Sequence, residues 1–79
     1  MTAGEIFLSQ WTHKQYDLLE RAITAGTRIS AYRRGTEFVV VPQRLKIIRD
    51  REAIESVHPT TGERIILYLD ELDTIETVR

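Results

Sequence analysis

The chain has 79 residues, a formal net charge of −1 and no cysteine. This length predicts one small domain, near the lower limit of what folds alone. The absence of cysteine excludes a disulfide framework and every thiolate metal site. No apolar run approaches the roughly 20 residues that a membrane-spanning helix needs, and the N-terminus lacks the pattern of a signal peptide. We therefore expect a cytoplasmic protein with no membrane partner and no cofactor.

The small net charge hides an asymmetry along the chain. Residues 28–51 carry seven basic and two acidic side chains, a net of +5. Residues 52–79 carry two basic and seven acidic side chains, a net of −5. The two segments either neutralise one another within the fold or present two faces of opposite sign. Only the second arrangement would attract an anionic partner.

The first eleven residues predict an N-terminal arm ahead of a single domain at 12–79. Ile6–Leu8 is too apolar to be left in water, and we expect it to form a short edge strand or to pack over the core. Trp11 and Tyr16 have the spacing of a hydrophobic staple around a helix start. Together with Phe7 they either close one end of the fold or form an exposed patch for a protein partner.

A helix is predicted over about 13–25. Thr12 is a suitable N-cap, and Gln15 stands three positions later, as in a capping box. Gly26 ends the helix in the left-handed conformation. Apolar residues recur at helical spacing between these two ends: Tyr16, Leu19, Ala22 and Ile23.

After the helix the apolar pattern changes to a period of two, which predicts strands. Gly35 marks a hairpin turn, Pro42 marks a strand end or bulge, and Pro59–Gly62 marks a further turn. Five strands follow, over about 28–34, 36–48, 53–58, 63–69 and 74–78. The predicted fold class is α+β, with an N-terminal α-helix followed by a strongly bent five-stranded antiparallel sheet or a small barrel of the Sm-like or SH3-like kind.

These turn residues and their order resemble the WYL domain, a bacterial module of that barrel class. The resemblance covers roughly residues 18–76. It rests on Ala22-Ile23 and Gly26, on Tyr32, Gly35 and Glu37, on Val41-Pro42 and Leu45, on Pro59 to Gly62, and on Leu69-Asp70 with Leu72 and Ile75. The name-giving tripeptide would fall near Glu52-Ala53-Ile54, which has neither its tryptophan nor its tyrosine. A small barrel of another family fits equally well. The resemblance implies a small anionic effector as ligand.

No pattern in the chain is typical of catalysis. His13 and His58 are too far apart in sequence to form a short-spaced metal pair. The four glycines are isolated, so there is no glycine-rich phosphate loop. The acidic run around Asp70 lacks the spacing of a calcium loop. We therefore expect a protein that is not an enzyme and that holds no metal.

The basic segment contains the strongest functional candidates. The predicted nucleic-acid or anion site consists of Arg33, Arg34, Arg44, Lys46 and Tyr32. Small barrels that bind nucleic acid combine cations with a stacking aromatic residue, and Tyr68 would serve as well if it faces outward. The leading hypothesis is a small non-enzymatic binding module that binds nucleic acid through residues 28–51.

The alternative hypothesis is a protein-binding or self-associating adaptor. Segments of opposite charge suit association between copies, either head to tail or about a two-fold axis. An edge strand bearing Val39 and Val41 would also pair with a second chain. A homodimer is therefore the second partner that the sequence predicts.

Overall fold

The computed structural model describes residues 11–78 of the chain. Within these residues one helix, α1 (His13–Ala25), precedes five strands, and a 3₁₀ turn (Leu69–Glu71) connects the last two. The strands are β1 (Ile29–Arg33), β2 (Thr36–Ile48), β3 (Arg51–Val57), β4 (Arg64–Tyr68) and β5 (Thr74–Thr77). The predicted α+β class is confirmed. The predicted arm, apart from Trp11, lies outside the described residues.

Both ends of α1 form as the sequence predicts. Thr12 is extended, and its hydroxyl accepts a hydrogen bond from the backbone N–H of Gln15. Gly26 has φ 69°, and its N–H donates to the carbonyl of Ile23, so the left-handed conformation that glycine tolerates ends the helix. The Gln15 side chain differs from a capping box, because its Oε1 accepts from the N–H of Ile75 at 3.0 Å. That bond ties α1 to β5.

The five strands form one antiparallel sheet in the order β4-β3-β2-β1-β5. The long strand β2 lies in the middle of the sheet. Its first half pairs with β1 and its second half pairs with β3. The register shifts between Pro42 and Arg44. Proline has no N–H for the ladder, so the predicted irregularity at Pro42 takes the form of a bulge, which bends a strand.

Of the two predicted architectures, the open sheet is the one observed. Among the strands of residues 11–78, β4 and β5 are the two edges, and they do not pair with each other. The helix takes the place of a closing ladder: α1 packs against β2 and β5, and its Leu19 and Ala22 are buried in the core. Because β2 is internal, the prediction that Val39 and Val41 lie on an edge strand is wrong. Val39 lies opposite Ser30, and Val41 lies opposite Val57.

The sheet has two faces because successive side chains of a strand point to opposite sides. The inner face packs against α1 and supplies the strand residues of the core, among them Ile29, Ala31, Val40, Ile54, Leu67 and Ile75. The opposite side is called the outer face here, and it carries the polar and charged residues discussed below. Within residues 11–78, no helix is long and apolar enough to cross a bilayer.

Candidate nucleic-acid interface

Three strands contribute to a group of charged residues on one half of the outer face. β3 lies between β2 and β4, and its Glu55 is opposite Arg44 of β2. Two positions away along the strands, Ala53 lies between Lys46 of β2 and Tyr68 of β4. The antiparallel registers therefore bring residues that are distant in sequence onto one surface.

Glu55 is the centre of this group. Its side chain is only 8% exposed, and its carboxylate contacts three cations. Arg44 Nε lies 3.0 Å from Oε1, while Arg64 donates to Oε2 from Nε at 3.0 Å and from Nη2 at 2.8 Å. Lys46 Nζ lies 3.9 Å from Oε2. We call Arg44, Lys46 and Arg64 around Glu55 the basic cluster; three cations on one carboxylate leave it with a local charge of +2.

Each arginine side chain of the basic cluster contacts Glu55 and is also largely exposed to solvent. The side chains of Arg44 and Arg64 are each 67% exposed, although both contact the buried Glu55. A guanidinium has five N–H donors in a planar fork, and one carboxylate shared between two arginines cannot use them all. The remaining donors face solvent, so the cluster can donate hydrogen bonds to phosphate or carboxylate oxygens.

Tyr68 borders the cluster, but a further arginine covers its ring. The guanidinium of Arg51 lies 3.9 Å from the ring centroid. Arg51 also donates to Asp70 at 2.9 Å and 2.6 Å and to Glu71 at 3.0 Å. These bonds raise the pKa of Arg51, with Asp70 contributing most, and the bond from Arg51 lowers the pKa of Asp70. Arg51 is thus paired with two carboxylates, and its guanidinium covers one face of the Tyr68 ring.

The other half of the outer face has the opposite charge. Tyr32 of β1 lies opposite Glu37 of β2, and its hydroxyl is 3.5 Å from carboxylate oxygens of both Glu37 and Glu76. The Ser30 hydroxyl donates to Glu37 at 2.6 Å. Burial, followed by the two carboxylates, raises the pKa of Tyr32. We call Tyr32, Glu37 and Glu76 the acidic half. Tyr32 therefore lies among carboxylates, away from Arg44 and Lys46 of the predicted site.

Arg33 and Arg34 lie apart from Arg44 and Lys46. Arg33 lies two positions after Ala31 and therefore on the same, inner side of β1. Its guanidinium is 4.8 Å from the centroid of the Phe38 ring. It also lies 3.6 Å from Glu71. A cavity of about 530 Å³ beside this pair has two bases and three acids in its wall: Arg33, Arg34, Asp70, Glu71 and Asp73. The structure therefore divides the predicted site into a mixed-charge cavity and the basic cluster.

The two oppositely charged segments of the chain pair with each other. In the part of the chain that the structure describes, five ion pairs join a cation of the basic segment to an acid of the acidic segment: Arg33–Glu71, Arg44–Glu55, Lys46–Glu55, Arg51–Asp70 and Arg51–Glu71. The basic and acidic segments of the sequence therefore do not form separate basic and acidic faces of the protein. Arg44 and Lys46 alone exceed Glu55 by one positive charge, and Arg64, from the acidic segment, raises this local surplus to +2.

The predicted protein-interaction residues occupy different environments. Trp11 belongs to the core at 9% exposure, and its ring centroid lies 5.5 Å from that of the half-buried Tyr16. The Tyr16 hydroxyl donates to Glu52 of β3 at 2.8 Å. This placement gives Trp11 a structural part at the helix start. Phe7 lies outside the described residues.

The histidine that precedes the Pro59 turn acts as a local cap. Nδ1 of His58 accepts hydrogen bonds from the backbone N–H groups of Thr60 and Thr61, at 3.1 Å and 3.2 Å. Across residues 11–78, no three histidine or carboxylate side chains converge in a way that could hold a metal ion.

Sequence reasoning missed Arg64 and Glu55, although a signal for both was present. The Pro59–Gly62 turn predicts a hairpin in which Val57 faces Arg64, as observed. Glu55 lies two positions before Val57, so the alternation of a strand places Glu55 and Arg64 on one face. A search by segment charge overlooked this pair because both residues lie in the acidic segment.

Comparison with known proteins identifies no family for this chain. The chain matches no protein-family model, and no curated protein matches it significantly. The resemblance to the WYL domain therefore stays a prediction.

Proposed function

We propose that this domain is a non-enzymatic binding module that binds single-stranded nucleic acid through the basic cluster. The observation that carries the proposal is the arrangement at Glu55, where one buried carboxylate holds two largely exposed arginines on the open side of the sheet. The site retains the predicted residues Arg44 and Lys46 and adds Arg64.

Restraint of the arginines by Glu55 favours binding of an anion. An unrestrained arginine loses rotamer freedom when it binds, and each immobilised side chain costs about 0.5–1.5 kcal/mol. Arg44 and Arg64 are already ordered by their contacts with Glu55. Their planar donor groups match phosphate oxygens in geometry and charge.

The exposure of the cluster favours a polymer over a small effector. Sites for small ligands are concave and bury most of the ligand surface. The arginines here stand on a strand surface with two thirds of each side chain in solvent. A flexible phosphate backbone can follow such a surface, whereas a small anion would remain largely in water. The small anionic effector is accordingly the weaker hypothesis.

The number of cations sets the expected salt dependence. Contacts between three cations and the phosphates of a single strand give a slope of log K against log salt concentration of about −2. Tyr68 is already covered by Arg51, so base stacking contributes little. The binding is thus expected to be electrostatic, weak at physiological salt and tolerant of sequence.

Fluorescence anisotropy with labelled single-stranded RNA and DNA of increasing length tests the proposal. At several salt concentrations, affinity should rise with length up to the site size and fall with a slope of about −2. Inorganic phosphate and free nucleotides should compete only at much higher concentration. A small-effector site would give instead tight binding of one compound, independent of strand length. No binding at low salt would refute the proposal.

A further inference from the structure

The edge strand β4 directs one row of backbone groups away from the sheet. The N–H of His58 donates to the carbonyl of Glu63 at 2.8 Å, in the same register as the rest of the β3–β4 pair. Hydrogen-bonded pairs alternate with other pairs along an antiparallel ladder. Arg64, Ile66 and Tyr68 therefore point their N–H and C=O groups away from β3. Within residues 11–78, no strand lies beyond β4 to bond to them.

The opposite edge of the sheet is covered by the helix. At β5, the N–H of Ile75 donates to Oε1 of Gln15, and α1 packs against this strand. The Gln15 side chain thus occupies a backbone donor that a further strand would need. Of the two edges formed within residues 11–78, β4 is the one that can take another strand along its whole length.

The sequence of β4 lacks the usual protection of an edge strand. Natural edges are protected by lysine, proline or a bulge, or by covering with another element. β4 has five residues, contains neither lysine nor proline, and pairs with β3 without a register shift. Its Ile65 and Ile66 are half-buried, one on each face of the sheet. An additional strand would cover both side chains further.

We propose that β4 pairs antiparallel with β4 of a second copy, about a two-fold axis at Ile66. The register that joins the outward groups over the whole strand places Ile66 opposite Ile66 and Arg64 opposite Tyr68. Ile65 then lies opposite Leu67 on the inner face. Apolar residues meet apolar residues, and no charge within β4 lies opposite a like charge.

This match favours a second copy over a different extended chain. Read in the opposite direction, β4 supplies a suitable partner for each of its own five positions. The contact also closes on itself, because the same strand serves both copies. Further growth of the sheet would require β5, where Gln15 bonds to Ile75. The predicted assembly is therefore a dimer and not a filament.

The dimer would join the outer faces of the two copies. Directly opposite residues of an antiparallel pair lie on the same face, so the two-fold axis is perpendicular to the sheet. Glu55 lies opposite Ile66 in each copy. The two Glu55 positions thus fall in one cross-strand row, three strand spacings or about 14 Å apart. Two basic clusters, each with a local charge of +2, would lie side by side.

One consequence of this arrangement rests on the proposed function. A single strand of nucleic acid that spans both basic clusters should tighten the dimer, because it binds the dimer more strongly than the monomer. The dimer itself is measured without nucleic acid, so a failure of nucleic-acid binding would not change that result.

Sedimentation equilibrium up to millimolar concentration tests the dimer. Five residue pairs form a contact smaller than the ~800 Å² per partner of a stable interface, so we expect a Kd of about 0.1–1 mM. Ile66→Lys should raise the Kd at least about tenfold, because two lysines would face each other at the axis. The fold should persist, since each lysine lies opposite Glu55 of its own copy. Circular dichroism verifies it.

The same exchange on another strand provides a matched control. Ile47 of β2 is 65% exposed and lies opposite Glu52 of β3. Ile47→Lys therefore adds the same charge beside a glutamate but leaves the edge of β4 unchanged. Its Kd should equal that of the wild type.

Amide NMR of the unmodified chain gives a second measurement, which does not depend on a variant. As the concentration rises, the amide proton of Ile66 should shift and exchange more slowly, because it gains a bond to the other copy. The amide of Ile65 points to β3 and should change much less.

Three results would overturn the proposal. The first is a chain that stays monomeric at millimolar concentration. The second is an equal Kd for Ile66→Lys and Ile47→Lys. The third is a set of concentration-dependent amide shifts that lies outside β4.

Discussion

The two halves of the outer face share the strand β2 but use their carboxylates differently. In the basic half, the single buried carboxylate of Glu55 is surrounded by three cations. In the acidic half, Glu37 and Glu76 face the hydroxyl of Tyr32, and Ser30 also donates to Glu37. Each half also includes a residue from the segment of opposite charge, since Glu37 belongs to the basic segment and Arg64 to the acidic one. Strand register, and not segment charge, therefore determines where a surface is basic.

The largest effect should come from removing the two restrained arginines. In Arg44→Gln/Arg64→Gln only Lys46 remains as a phosphate contact, so the magnitude of the salt slope should fall from about 2 to about 0.7. Affinity at low salt should fall at least about tenfold. Anisotropy titrations with one oligonucleotide at several salt concentrations measure both quantities.

A control with the same loss of charge separates a local site from a general attraction. Arg21 and Arg28 are exposed, and among the described residues neither takes part in an ion pair. Arg21→Gln/Arg28→Gln should leave the salt slope near its original value. Equal losses in both double variants would show that net charge alone governs binding.

Exchanging one carboxylate in each half compares the two environments through stability. Glu55→Gln should lower the free energy of unfolding by about 1–2 kcal/mol, because a buried acceptor of charged hydrogen bonds is replaced by a neutral amide. Glu37→Gln should cost less than about 1 kcal/mol, because Glu37 is exposed and accepts from neutral hydroxyls. Urea unfolding measures both, and a larger loss for Glu37→Gln would contradict the comparison.

The same Glu55 variant distinguishes restraint from charge in binding. Glu55→Gln adds one positive charge to the basic cluster but loosens its arginines. If restraint dominates, oligonucleotide affinity falls despite the added charge. An affinity that rises would show that Glu55 only lowers the net positive charge of the cluster. Measurements at high and low salt separate the effect of restraint from the effect of charge, because salt screens only the effect of charge.

The smallest expected effect concerns acid stability and the contact between Arg51 and Asp70. The hydrogen bond from Arg51 lowers the pKa of Asp70 in the folded protein. A lowered pKa contributes stability above the unfolded value of about 3.9, and this contribution disappears as the pH falls through the folded pKa. Asp70→Asn should therefore be less stable than the wild type at neutral pH, and the difference should vanish in acid.

Thermal unfolding across a pH series measures this difference. Asp17→Asn serves as control, because Asp17 is in no ion pair within residues 11–78 and its curve should follow the wild type. A gap between the Asp70→Asn and wild-type curves that stays constant down to strong acid would contradict the account.

The fold could be predicted from sequence because its signals are local. Thr12 and Gly26 mark the helix ends, and Gly35 and Pro59–Gly62 mark hairpin turns, so the observed elements lie close to the predicted ranges. Whether the sheet closes depends on long-range pairing and on what covers its open end. Leu19 and Ala22 do this, and apolar spacing alone could not show that a helix would replace the closing ladder.

The candidate site could be predicted only in part. Arg44 and Lys46 share a face by simple alternation, and the structure brings them together at Glu55. Arg33 lies on the other side of the sheet, and Tyr32 lies between two carboxylates. Those two placements follow from pairing with β2 and β5, which a count of charges along the chain does not include.

Mapping a bound oligonucleotide onto the two halves by NMR tests the central claim most directly. Backbone amide shifts would be followed in the ¹⁵N-labelled domain as unlabelled single-stranded RNA is added at low salt. We predict that the largest shifts fall in the basic half, at Arg44, Lys46, Glu55 and Arg64, and that Tyr32, Glu37 and Glu76 stay unchanged. Shifts concentrated in the acidic half or around Arg33 and Arg34, or no shifts at all, would contradict the account.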